Sequence, residues 1–333
     1  MTRAALWGAV VLTLAAFAGG QAMAQTGVWT ASIGTVPALG NVAIPATGTT
    51  TYRFTPAGVV SVVSGTAVRK STNAVQGVVT ITCTGTGNLC NAGVTGKVRI
   101  GSIGTPTGKA GALTNFTVSS TATITGLTGT NPIDFTIAVK TKNQPITVNV
   151  GADFPIRAVD GAGSTGAATS GFYVYAIATG TPVAGASGNA TAAVWRPISF
   201  TGTPTLVFGT IYKPTTGSSV VTLNPSLGSN PLSVTGDAII VGATAARASY
   251  SITGEGAQVI TVTPATSFVM NRVGNNPTPI TVNLTTTTLP TALCGSVGSA
   301  GTAGFYMGGN FTLTTATQMG TYQGTYDVTV AYN

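Results

Sequence analysis

Short alternating runs, each stopped by glycine, proline or asparagine, recur along the whole chain and constrain its fold more than any other feature. VQGVVTITC (75–83), GKVRIGSI (96–103), DFTIAVKT (134–141), PITVNV (145–150) and SGFYVYAIA (170–178) read as strands in the first half. ASYSITG (248–254), QVITVTP (258–264), PITVNL (279–284), GNFTLTT (309–315) and YDVTVAY (326–332) do so in the second. Period two puts successive side chains on opposite faces of a sheet. No stretch of a dozen residues keeps a helical period. Leu, Glu and Lys, which favour helices, are scarce, and Glu255 is the only glutamate. Many short strands with turn residues between them predict an all-β protein of antiparallel sandwiches, and no crossover helices are present to build a parallel sheet.

The opening residues MTRAALWGAVVLTLAAFAGGQAMAQ place Arg3 before an apolar run and then Ala22-Met23-Ala24, a small-x-small cleavage pattern. Residues 1–24 are expected to be a secretory signal peptide. The rival, a membrane anchor, would need about 20 apolar residues to span. No later stretch reaches that length, so no transmembrane segment is expected in the mature chain. Export implies the periplasm, the cell surface or the extracellular space.

Only 6% of the residues are charged while 43% are hydrophobic, a balance opposite to that of disordered chains. The formal charge is +8, from scattered cations. Lys97/Arg99 and Lys140/Lys142 are spaced to share a strand face, and Arg69-Lys70 is the one adjacent pair. They could form a weak polyanion site for DNA or acidic glycans, or serve as edge cations that discourage aggregation. No dense basic patch exists, so nucleic acid is not an expected partner. Cys83 and Cys90 lie seven apart around Gly and Asn, and in an oxidising space a disulfide closing a short hairpin is expected, with two separate thiols as the alternative. Cys294 is left over, free or intermolecular.

The chain also resembles itself. LGNVAIP (39–45) is similar to FGTIYKP (208–214), and SGFYVYAIATGTP (170–182) to AGFYMGGNFTLTT (303–315), the first copy being the longer. Two domains follow, 25–190 and 191–333, with the small-residue stretch GASGNATAA (185–193) as the expected boundary. Both are expected to be immunoglobulin-like or pilin-like β-sandwiches in tandem.

In the second half FGTI, LSVTG, ASYSITGE, MGGNFTLT and GTYQGTYDVTVAYN together are similar to a secreted bacterial family known only as a domain of unknown function. That family resembles the spore-coat-U-type subunits of archaic chaperone–usher fimbriae. The resemblance covers about residues 197–333, with a looser copy at 27–190. A cysteine usual in the first strand of such subunits is missing from RPISFTGTPTLVFG (196–209). The resemblance implies that the last strand, where Tyr326, Val328, Val330 and Tyr332 share one face and Asp327, Thr329 and Ala331 the other, pairs with a periplasmic chaperone or a neighbouring subunit. Alternatively the strand closes the domain's own sandwich.

The chain has no histidine. Serine or cysteine triads and the commonest metal ligand are thereby removed. None of Asp134, Asp153, Asp160, Asp237, Glu255 and Asp327 sits in a paired-carboxylate motif of the kind glycoside hydrolysis uses. DGAGSTG (160–166) lacks the further acids of a calcium loop. No catalytic residue, metal or cofactor is expected. Tyr173 and Tyr175 alternate with Phe172 and Val174, and are candidates for contact with a glycan or a protein, or else core. The expected function is a non-enzymatic, secreted envelope protein, structural or adhesive, that self-associates or joins other envelope subunits by strand addition and meets a glycan or an abiotic surface. The alternative is a monomeric glycan-binding module.

Overall fold

The computed structural model describes residues 28–333 apart from 179–180, 230, 243 and 275–278, and of residues 177–184 it describes no side chains. The expected signal peptide at 1–24 lies outside the described residues. The described residues form strands and no helix, so no helix is long and apolar enough to cross a membrane.

The first part of the chain contains β1 (Val28–Thr35), β2 (Ala38–Ala43), β3 (Thr49–Phe54), β4 (Val60–Ser64), β5 (Val68–Arg69), β6 (Gly77–Thr84), β7 (Thr95–Thr107), β8 (Thr114–Ser120), β9 (Ile124–Thr128), β10 (Ile133–Ala138), β11 (Ile146–Arg157), β12 (Gly166–Ala178) and β13 (Thr181–Trp195). One sheet runs β1-β6-β11-β3-β4, with β8 also on β11. The other runs β5-β2-β13-β12-β7-β10-β9. All pairings are antiparallel except β2 with β13, which is parallel. Strict alternation of buried and partly exposed residues in β6 (Val79, Ile81, Cys83) and β10 (Ile133, Phe135, Ile137) turns one face of each sheet inward. Phe54, Ile81 and Phe154 of the first sheet meet Ile100, Phe135 and Phe172 of the second in one core, the arrangement of two sheets packed face to face.

The second part contains β14 (Ser199–Thr203), β15 (Thr210–Tyr212), β16 (Ser218–Leu223), β17 (Leu232–Thr235), β18 (Ile239–Val241), β19 (Ala248–Glu255), β20 (Ile260–Pro264), β21 (Ser267–Arg272), β22 (Ile280–Thr286), β23 (Ala300–Thr314), β24 (Tyr322–Gln323) and β25 (Val328–Tyr332). A large sheet runs β14-β19-β23-β22-β21-β24, with β16 and β17 attached through β23. Two small sheets, β15-β18 and β20-β25, complete it. There are two apolar clusters here. One gathers Phe208, Val221, Met270, Ile280, Phe311 and Leu313. The other gathers Tyr250, Ile252, Ile260, Leu293, Phe305 and Met307.

The internal resemblance has a structural counterpart. β12 and β23 are both long central strands that bury a phenylalanine after the shared glycine, Phe172 and Phe305. Gly40 and Gly209 both have positive φ, 78° and 75°, which L side chains rarely adopt.

Three sequence expectations are corrected. The small-residue stretch 185–193 is no linker, because it lies inside β13 and pairs residue by residue with β12. Alternation of Ala, Gly and Ser with few large side chains hides a strand whose neighbours supply the bulk. The Cys83–Cys90 disulfide is present, with an S–S distance of 2.06 Å and Cα atoms 5.7 Å apart. It closes no hairpin, since β6 and β7 belong to different sheets, and it secures the turn that carries the chain between them. Lys140 and Lys142 share no strand face, because β10 ends at Ala138 and both lie in the following turn.

Candidate functional site

The last strand is where sequence and structure concentrate their unusual features. β25 pairs antiparallel with β20, Ile260 opposite Tyr332 and Val262 opposite Val330. Tyr326, Val328, Val330 and Tyr332 all pack against the second of the two apolar clusters, while Asp327, Thr329 and Ala331 are exposed. The four inward residues are half-buried rather than deeply buried.

Two tyrosines anchor this face. The Tyr332 phenol oxygen accepts the Glu255 backbone N–H at 2.6 Å and donates to the Arg196 carbonyl at 2.8 Å. Its ring centroid lies 5.2 Å from that of Trp195, the last residue of β13. Gly254 makes room for it, since a Cβ there would collide with the phenol. Beside it the Glu255 carboxylate, fully buried, accepts the backbone N–H groups of Arg196 (3.3 Å) and Gly298, and lies 3.7 Å from the Arg196 guanidinium. Tyr326 donates to the Pro204 carbonyl at 2.6 Å and shares a 2.9 Å hydrogen bond with Tyr250. Burial pushes the Tyr326, Tyr250 and Tyr332 hydroxyls up from their ordinary range. The alternating apolar face was legible in the sequence, but these polar anchors were not, because Tyr250, Arg196 and Glu255 lie 76, 136 and 77 residues away.

The far side of β25 is open. In an antiparallel pair, alternate residues direct their N–H and C=O toward the partner. The Asn333 N–H donates to Val259 and the Ala265 N–H to the Asp327 carbonyl, so the odd-numbered residues from 327 to 333 face β20. Val328, Val330 and Tyr332 therefore direct their backbone groups outward, where no strand among the described residues pairs with them. Pro264, opposite Val328, fits this register because its missing N–H is not needed there.

A second feature of this half is an apolar cleft of about 640 Å³ between residues 206–213 and 317–322. Its floor is Phe208, Met270, Ile280, Phe311 and Leu313, and Met319 at its rim is 77% exposed.

Five of the six acidic residues are engaged in structure, Glu255 as described above and four aspartates elsewhere. Asp153 takes a fork from Arg53 at 2.6 and 2.8 Å and the Asn115 amide at 2.7 Å. Asp134 takes a fork from Arg99 at 2.7 and 2.8 Å. Asp237 accepts the backbone N–H groups and hydroxyls of Thr215 and Thr216. Asp160 accepts the Gly48 N–H at 3.2 Å. In the loop 160–166 region the buried Lys109 ammonium donates to the carbonyls of Val159 and Gly161, so an internal cation occupies those oxygens. Among the described residues no three of His, Cys, Asp and Glu cluster as metal ligands. Cys294 is a free, exposed thiol.

Tyr173 and Tyr175 lie on the outer face of the second sheet of the first part, half-buried, with ring centroids 4.8 Å apart. They are not core, since Phe172 and Val174 take the inward face.

These features define an all-β protein whose last strand, among the described residues, has one edge without a strand partner. Residues 198–332 match the model of a family described as a domain of unknown function, DUF4402. No curated protein matches the chain.

Proposed function

We propose that this is a non-enzymatic, secreted envelope protein, structural or adhesive, that assembles by adding a strand of a second copy to the outer edge of β25. The observation that carries the reading is the combination in β25 of a half-buried apolar face and an edge whose Val328, Val330 and Tyr332 backbone groups have no strand partner among the described residues. Such an edge is a template for another strand, and main-chain hydrogen bonds supply the affinity. The sequence motifs of about residues 197–333, similar to a family that resembles spore-coat-U-type fimbrial subunits, support the reading, as does the signal-peptide pattern at 1–24. A periplasmic chaperone would occupy the same edge before assembly.

Absence of histidine and the engagement of Asp134, Asp153, Asp160, Asp237 and Glu255 in hydrogen bonds support a non-catalytic role. The test is the mass of the purified mature chain by size exclusion with light scattering, together with electron microscopy of the producing cell surface. Concentration-dependent oligomers and surface fibres or patches are expected. A strict monomer with no surface structure would instead support a monomeric binding module.

A further inference from the structure

The outer face of the β12–β7–β10 region carries a second surface. Across three strands, Tyr175 pairs with Arg99 and Arg99 with Asp134, while Tyr173 pairs with Gly101 and Ser187. Cross-strand partners share a face, so Tyr173, Tyr175, Lys97, Arg99, Asp134 and Thr136 all project from the same side. Glycine seats both tyrosines. A Cβ at Gly185 would collide with the Tyr175 ring, and one at Gly101 would lie 2.9 Å from the Tyr173 hydroxyl. The rings therefore lie against bare backbone, each half-buried on the outer face of the sheet. Their centroids are 4.8 Å apart and their planes tilted by 37°, which makes one continuous, shallow aromatic trough. Next to it is a depression of about 350 Å³ lined by Lys97, Arg99, Thr128, Asp134 and Thr136. Arg99 is satisfied by Asp134, whereas Lys97 is exposed and, among the described residues, lies within salt-bridge distance of no carboxylate. The cluster thus keeps an excess positive charge beside an aromatic trough and a row of hydroxyls.

An aromatic face accepts the C–H side of a pyranose ring, hydroxyls and the Asp134–Arg99 pair suit sugar hydroxyls, and a free ammonium suits a carboxylate. We propose that this face binds a polysaccharide of uronic-acid sugars, with the sugar rings on Tyr173 and Tyr175 and a carboxylate at Lys97. The site lies on a different sheet from β25 and does not depend on assembly, so either proposal can fail without the other.

Affinity electrophoresis of the full chain in gels containing polygalacturonate, uncharged galactan or polyglutamate tests it. Retardation by polygalacturonate is expected, weakened about tenfold or more by Tyr173→Ala with Tyr175→Ala and about tenfold by Lys97→Gln. An unchanged far-ultraviolet circular dichroism spectrum and a cooperative urea transition in each variant show that the fold is kept. The proposal is overturned by no retardation in polygalacturonate, by retardation only in galactan, by equal retardation in polyglutamate (charge alone), or by tyrosine variants that bind as the parent.

Discussion

Tyr332 accepts the Glu255 backbone N–H on its phenol oxygen at 2.6 Å and donates its own O–H to the Arg196 carbonyl at 2.8 Å, fastening the last strand to the junction between the two halves of the chain. Tyr332→Phe keeps the ring against Trp195 and removes both bonds. A buried amide left without an acceptor costs about 1–3 kcal/mol. Urea unfolding should show that loss in the second half of the protein. Asp327→Asn, on the exposed face, should stay within about 0.5 kcal/mol of the parent.

Alkaline pH should weaken the same region. Burial, with the Tyr250 hydrogen bond added, holds Tyr326 protonated above its ordinary range, and burial raises Tyr250 and Tyr332 as well. A folded-state pKa above the unfolded value of about 10 gives stability that is complete below that pH and is lost as pH rises through the folded value. Urea midpoints measured upward from about pH 9 should fall, and Tyr326→Phe should flatten the fall. In the first half, burial pushes Tyr52 up to about 12, so that half should weaken over the same range.

Acid should weaken the first half through Asp153. Burial alone would raise its pKa, but the Arg53 fork and the Asn115 amide outweigh it and hold the carboxyl below its usual range. A depressed folded pKa contributes stability above the unfolded value of about 3.9 that is lost as pH falls through the folded value. The first half should therefore lose stability below about pH 4, and Asp153→Asn should flatten that limb of the urea-midpoint profile.

The Cys83–Cys90 bond closes a short loop, for which chain entropy gives roughly 2–3 kcal/mol. Replacing both cysteines with serine should lower the first half's unfolding free energy by about that amount. Unreduced peptide mapping should find Cys83 and Cys90 joined and Cys294 free.

Much of this fold was legible in the sequence because period two is a local signal. The runs 75–83, 134–141 and 248–254 overlap β6, β10 and β19, and the apolar face of β25 has the parity read from its residues. Two kinds of feature were not legible. β13 at 184–193 is Ala, Gly and Ser apart from Asn189 and Thr191 and carries no alternation of large apolar side chains, its burial being set by β12, β2 and β1 around it. The partners of the buried Glu255 and of Tyr326 are distant in sequence, so nothing local announces them. The glycine seats under Tyr173 and Tyr175 likewise appear only when β7, β12 and β13 are laid side by side.

The central claim is that the outward edge of β25 recruits a second copy, and Val330→Pro addresses it most directly. Proline at 330 removes the outward N–H and leaves the odd-numbered rungs to β20 intact. Thr329→Pro removes a rung inside the chain and serves as the contrast. Size exclusion with light scattering should show the parent forming concentration-dependent oligomers and the Val330→Pro chain folded but monomeric, whereas Thr329→Pro should lower the unfolding midpoint. A Val330→Pro chain that assembles as the parent does, with unchanged stability, would contradict the account.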